Sequence, residues 1–367
     1  MNCKACHSKD VRSVYRQPAL PFIQSRHYKS RAEALKVPCF EVDLLLCETC
    51  GLVFNGLFNE NVSRYDADYN NNQACSSVFQ RHFLDVIDLL EKRGFASRKV
   101  VEIGCGKGDF LRLLRQRGFQ VTGFDPAFEG QDAGVVKDFF SAKYAQECGA
   151  DLVVLRHTLE HIENPFEFLK KIAGFEQNNG FVYIEVPSFE WIVEYKAFWD
   201  IFPEHCNYFT RHFWGSIFSE YEHGLMFQGQ YQYVLAQWKH LKSSPQVGRG
   251  VDSLDLSGFA AYLQWYRQFV RTLQKSLVWG AGAKGMTFVN LMDPSAEFIA
   301  AVVDINTTKQ GKYVGRTGHP IIASGEIDRY GARDIILMNG NYEQEIRGLL
   351  KDKDLNCHVL GVSLELP

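Results

Sequence analysis

"KVVEIGCGKGDFLRLL", residues 99–114, decides how the rest of the chain is read. It runs from an apolar strand through a glycine-rich turn into a helix over Gly108–Arg117. Gly104, Gly106 and Gly108 permit sharp turning and close approach of the backbone to a ligand. The spacing G-x-G-x-G departs from the dinucleotide fingerprint G-x-G-x-x-G. Glu102, at the end of the strand, suits a ligand carrying positive charge rather than a pyrophosphate. Asp125 closes the next strand, "VTGFDP", where a carboxylate can take both hydroxyls of a ribose.

Outward from this turn, strands and helices alternate. A helix at 81–93 carries Phe83, Val86, Ile87 and Leu90 on one face. "FQVTGFDP", "GVVKD", "DLVVLRHT" and "GFVYIEVP" follow as strands, with a helix around Phe166–Ala173. Alternation with apolar strands implies an α/β fold built on a parallel, doubly wound sheet. A Ser/Pro/Gly stretch, "KSSPQVGRG" (242–250), marks a junction, followed by a helix within 255–276. A second alternation then begins at "SLVWGAGAKG", with "FIAAVVDIN", "DIILMNGNY" and "CHVLGVSLEL" as its strands.

The N-terminal part is different. Cys3, Cys6, Cys47 and Cys50 form two C-x-x-C pairs, the donor set of a closed, structural Zn²⁺ site. Gly51 after the second pair allows the tight knuckle turn, and His7 is expected to face solvent. Ten cysteines spread over 367 residues do not resemble a secreted disulfide scaffold. Three modules result: zinc-binding over 1–60, a doubly wound core over 61–242, and a second nucleotide-fold module over 243–367. The net charge of −3 argues against a general affinity for nucleic acid or anionic membrane. With no charged-then-apolar leader and no long apolar run, a cytoplasmic location is expected. Oligomeric state is left open, with a monomer compatible.

The first glycine turn, with the acid at Asp125 and "DLVVLRHTLEHIENP" after it, resembles the class I S-adenosylmethionine-dependent methyltransferases. The resemblance implies that Glu102 and the backbone of Gly104, Cys105, Gly106 and Gly108 lie near the methionine moiety of the cofactor. It implies Asp125 on the ribose, and Asp138 and Phe139 beside the adenine. His157 and His161 are one helical turn apart but lack a metalloprotease pattern. His157 is expected to line the methyl-transfer cleft, with Glu160 and His161 merely opening a helix.

In the second glycine loop, Gly280, Gly282 and Gly285 satisfy G-x-G-x-x-G, and Asp304 ends the following strand. Alone this would suggest NAD(P) and hydride chemistry. The full set of paired cysteines, central core and "GAGAKG … VVDIN … MNGNY" is instead similar to sugar C-methyltransferases acting on nucleotide-linked keto-deoxysugars. By that resemblance the C-terminal module helps form the sugar-nucleotide site, with Gly282, Lys284 and Asp304 as substrate contacts. A purely structural role for this loop, and a non-catalytic binding protein, are the alternatives.

Methylating carbon requires a base beside an acidic C–H and donors for the enolate oxygen. The resembling family carries a Tyr-x-Glu-His segment after its fifth strand. The matching positions are Phe202, Pro203, Glu204 and His205, followed by Asn207 and Tyr208. His205 is the expected base, Glu204 its orienting acid or a sugar contact, and Asn207 a substrate contact. Phe202 lacks the tyrosine hydroxyl, whose work would pass to Tyr208, to Tyr65 or Tyr69, or to His157. The other possibility is O- or N-methylation of a sugar or small natural product.

Overall fold

The structure is a computed structural model and describes residues 1–59, 73–175, 180–246, 254–273 and 275–360. Tyr65 and Tyr69 lie outside the described residues.

Strands fill much of the cysteine-bearing segment: β1 (Val11–Pro21), β2 (His27–Tyr28), β3 (Cys39–Cys47) and β4 (Val53–Asn55). β1, β3 and β4 form one antiparallel sheet, and Val42, Leu44 and Leu46 of β3 turn inward at alternate positions. This sheet escapes sequence reading because its period-2 pattern is short and interrupted by irregularities between Ser13/Tyr15 and Gln17/Leu20.

The central sheet contains β5 (Lys99–Ile103), β6 (Gln120–Phe124), β7 (Val135–Val136), β8 (Leu152–Arg156) and β9 (Phe181–Pro187). These five are parallel, in the order β9-β8-β5-β6-β7. β8 and the middle of β5 and β9 are buried and mostly apolar, as expected of strands covered on both faces. β10 (Asn207–Tyr208) leaves this unit and pairs antiparallel with β4 of the N-terminal sheet. The chain then returns as a hairpin, β11 (Glu222–Met226) and β12 (Tyr231–Gln237), that adds to β9 antiparallel. The wholly parallel sheet expected from sequence therefore has an antiparallel edge. It is a five-strand parallel core switching direction at β12.

The C-terminal sheet is entirely parallel. It comprises β13 (Ser276–Trp279), β14 (Ile299–Val303), β16 (Ile321–Ile322), β17 (Asp334–Leu337) and β18 (Asn356–Val359), ordered β16-β14-β13-β17-β18. The short β15 (Tyr313–Val314) reaches back to pair with β2. One apolar cluster joins the N-terminal and C-terminal sheets through the segment after β9, linking Leu44 and Val53 to Phe198, Phe202, Phe288 and Val302. The glycine turns that end β5 and β13 both lie at the carboxyl ends of parallel strands, where open α/β sheets bind ligands. Among the described residues, no helix is long and apolar enough to cross a membrane.

Candidate functional site

At the first turn, Gly104, Gly106 and Gly108 all adopt positive φ (77°, 54° and 73°). A Cβ on Gly104 would fall 2.3 Å from Thr158 Oγ1, so glycine is required there for space as well as for conformation. Glu102 is buried, and its Oε2 has no hydrogen-bond partner. Burial pushes its carboxyl up to about 8. Asp125 accepts N–H bonds from Gly106 (2.9 Å) and Ala127 (2.8 Å). A buried acid without a partner, beside a cradle that excludes a Cβ, fits a cationic ligand such as a sulfonium or ammonium group. Asp138 accepts from the Phe139 N–H (2.8 Å) and the Tyr144 hydroxyl (2.9 Å), while the Phe139 ring is 73% exposed. Cys105 is buried beneath the turn, with its thiol raised by burial.

Thr158 ties this turn to a cavity of about 220 Å³, since its neighbour His157 lines that cavity. One wall carries His157, Glu160, His161, Trp191, Asp200, Phe202, His205 and Tyr231; the other carries Gly280, Gly282, Lys284, Asp304, Asn306, Lys309 and Tyr342. Residues from the two glycine-loop units thus meet in one space. Sequence reading missed Asp200, Tyr231, Lys309 and Tyr342, which reach the cavity from distant segments, and it assigned Glu160 and His161 only a helix-opening role. The "HTLEH" spacing was the available signal for the latter two.

His157 sits at φ 50° directly after β8, which turns it out of the strand. Its Nε2 lies 3.1 Å from Glu185 Oε1 and its Nδ1 3.6 Å from Glu160 Oε1. Burial works against an imidazolium at His157, but Glu160 and Glu185 outweigh it and raise the group. Glu185, on β9, also receives Arg156 Nη2 at 2.7 Å, His82 Nε2 at 3.1 Å and the Tyr183 hydroxyl at 3.0 Å. Burial alone would raise Glu185; Arg156, His82 and His157 instead hold it well below the usual carboxylate range.

The 202–209 loop distributes its residues differently from the sequence expectation. His205 lines the cavity, its ring 4.8 Å from that of His161 and 4.2 Å from that of Phe202. Burial first, then His161, His157 and Lys284, push its imidazole well below the ordinary value, which favours the neutral ring. Glu204 is buried and does not line the cavity; its Oε1 accepts the Gln24 N–H at 3.3 Å. Tyr208 cannot stand in for the missing phenol. Its hydroxyl accepts the Phe202 N–H (3.1 Å) and donates to the Phe202 carbonyl (3.2 Å), bracing the loop from within. Asn207 is also buried away from the cavity, donating to the Ile162 carbonyl at 2.6 Å.

At the second loop, Gly280 has φ 105°, and a Cβ on Gly285 would fall 1.8 Å from the Gly280 carbonyl oxygen. Asp304 lines the cavity with its carboxylate already engaged by local groups. It accepts the N–H groups of Ala281 (2.7 Å) and Asn306 (2.8 Å) and lies 3.3 Å from Lys309 Nζ. Asp304 therefore shapes the loop. Lys284 pairs with Asp200 at 2.7 Å and lies over the Trp191 ring at 5.0 Å.

The four paired cysteines come together across β3 and the N-terminal knuckle. Cys3 and Cys50 sulfurs are 3.6 Å apart, and those of Cys6 and Cys47 are 3.5 Å apart. A tetrahedral Zn–S₄ shell needs sulfurs about 3.8 Å apart. Gly51 has φ 77°, the turn expected after the second pair, and His7 is exposed. The donor set fits zinc.

Residues 75–223 match the family described as a methyltransferase domain. The chain carries an S-adenosylmethionine-dependent methyltransferase domain. Residues 260–354 match a C-methyltransferase C-terminal domain. The C-methyltransferase NovU of Streptomyces niveus is 30% identical over 201 residues, covering 51% of this chain and 47% of that protein. A ubiquinone biosynthesis O-methyltransferase of Pseudomonas aeruginosa is 28% identical over 107 residues, 26% of this chain and 46% of the relative. The chain spans about half the length of the curated relatives it matches. Among solved structures, a SAM-dependent methyltransferase from Archaeoglobus fulgidus aligns with TM-score 0.32 and 18% identity over 42% of this chain and 94% of the other. The fold is that of a Rossmann-like α/β methyltransferase, read from its own strand order.

Proposed function

We propose that this protein methylates a carbon atom of a nucleotide-linked keto-deoxysugar. One observation carries the reading: the cavity at the methyltransferase edge is walled on its far side by the second glycine loop. A substrate with a reactive sugar at one end and a diphosphate at the other matches such a two-sided space. Backbone at Gly280–Gly282 and the cations Lys284 and Lys309 suit the phosphate-bearing part. His205, neutral and facing the cavity, acts as the base that removes the proton beside the ketone. His157, whose imidazolium form Glu160 and Glu185 favour, stabilises the enolate oxygen in place of the phenol that Phe202 lacks.

When bound, S-adenosylmethionine would supply the electrophilic methyl group for the enolate carbon. Glu102, the 104–108 backbone, Asp125, Asp138 and Phe139 would hold that cofactor. Cys3, Cys6, Cys47 and Cys50 would hold a structural zinc ion.

O-Methylation is the second reading, favoured by Phe202 and by the similarity to the ubiquinone O-methyltransferase over the core. Incubation with labelled cofactor and a panel of keto-deoxysugar nucleotides, followed by mass spectrometry, separates the two. The C-methylation reading predicts solvent deuterium at the ketone-adjacent carbon and its loss in His205→Ala. A methyl group found on oxygen, without exchange, would reject it.

A further inference from the structure

We propose that Glu160, and not the adjacent Glu204, is the carboxylate that works with His205; the inference rests on the reading of His205 as the base. Glu160, His161 and His205 line the cavity together, and one donor atom from each lies within 4.8 Å of the other two. Glu160 is 2% exposed, and its Oε2 has no hydrogen-bond partner. Nδ1 of His205 is likewise buried and without a partner. An unsatisfied buried acceptor beside an unsatisfied basic nitrogen is a costly arrangement at rest, and the cost falls when the imidazole gains a proton.

The backbone holds these groups in register. Cys206 donates its N–H (3.0 Å) and Sγ–H (3.2 Å) to the Glu160 carbonyl. The Glu204 carbonyl accepts the His161 Nδ1–H at 3.2 Å. These bonds lace the 159–161 turn to the 204–206 loop, so the two sides cannot drift independently. Glu204 itself is turned to the Gln24 amide, off the cavity wall.

In the step this implies, the C–H bond beside the ketone breaks and its proton forms an N–H on His205. The electron pair stays on the substrate as the enolate. Glu160 accepts from the imidazolium and offsets its charge, as a buried carboxylate does in a hydrolase triad. Two imidazoles and a carboxylate would also suit a divalent cation. Lys284, on the same walls, opposes a doubly charged ion more than a single proton.

The test measures deuterium exchange into a keto-deoxysugar nucleotide by the zinc-loaded full chain, with S-adenosylhomocysteine bound, as a function of pH. Glu160→Gln is expected to slow exchange about 100-fold and to move its acidic limb to lower pH, because losing the anion weakens the base. Glu204→Gln should leave both unchanged. A Glu160→Gln limb that stays in place, whatever the rate, assigns Glu160 a structural role and overturns the proposal. So does a Glu204→Gln variant that moves it. If Glu160→Gln does not fold, Glu160→Asp, which keeps the charge, should retain the wild-type limb; a shift to lower pH there overturns the idea. Exchange that survives in His205→Ala faults the base reading instead. Stimulation of exchange by added Zn²⁺ would replace the proton with a metal and also overturn the proposal.

Discussion

Lys284 Nζ lies 2.7 Å from Asp200 Oδ2, joining the second glycine loop to the segment just before the His205 loop. Burial opposes both charges, raising the Asp200 carboxyl and lowering the Lys284 ammonium, and each is offset by the other. The pair couples the two walls of the cavity.

Replacing Lys284 by Met strands Asp200, whose side chain is only 12% exposed. The expected loss is about 2–4 kcal/mol of stability, since removing one partner of a mostly buried pair leaves an uncompensated charge. The double variant Lys284→Met/Asp200→Asn should recover most of it. Urea denaturation of Lys284→Met, Asp200→Asn and the double variant measures the coupling. Independent, additive losses would show that the pair does not link the walls.

Tyr208→Phe tests whether that hydroxyl is structural. Removing it leaves the Phe202 N–H and carbonyl without their partner in a buried loop, a cost of about 1–3 kcal/mol. Stability should therefore fall, and the pH dependence of C–H exchange should keep its shape. A normal melting temperature with abolished exchange would instead make Tyr208 the missing donor.

How far the sequence carried these conclusions differs by feature. The turn at Gly104–Gly108 was legible because three positive-φ positions demand glycine and an apolar strand precedes them. The cysteine pairs were legible because their spacing encodes one chemistry. His205, read by its position after β9, lines the cavity, whereas the adjacent Glu204 does not. Side chains of neighbouring residues commonly diverge, and here a turn 44 positions earlier supplies the carboxylate that lines the cavity. The hairpin β11–β12 went unread for a similar reason. β12 is buried almost throughout, so it shows little alternation, and its partner β9 lies far back in the chain. Asp304, read from its motif position, lines the cavity while its carboxylate also accepts two local backbone amides, which the motif does not reveal.

Zinc removal should disturb catalysis from a distance. Asn207 and Tyr208 pair with Phe54 and Val53, and Val53 follows the second cysteine knuckle by three residues. Loosening the knuckle therefore loosens the loop that carries His205. Chelation with a strong zinc ligand is expected to release metal, expose four thiols to a disulfide reagent and lower the melting temperature. Methyl transfer should fall in step, while S-adenosylmethionine binding at the separate β5 turn persists. Loss of cofactor binding at the same chelator concentration as loss of transfer would show that the knuckle supports the whole core rather than this loop.

Glu102 predicts a proton linked to cofactor binding. Its carboxyl is raised to about 8 by burial, so it is protonated at neutral pH in the free protein. A folded-state value above the unfolded one favours the fold at low pH, and that contribution is lost as pH rises through about 8. A cationic ligand beside Glu102 reverses the preference and draws the proton off. Binding of S-adenosylmethionine at neutral pH should release up to one proton, and affinity should rise with pH, levelling off above about 8. Calorimetry in buffers of different ionisation enthalpy counts that proton directly. Glu102→Gln should bind more weakly and show no buffer dependence. A wild-type binding enthalpy that is the same in every buffer would mean that Glu102 does not change protonation when the cofactor binds.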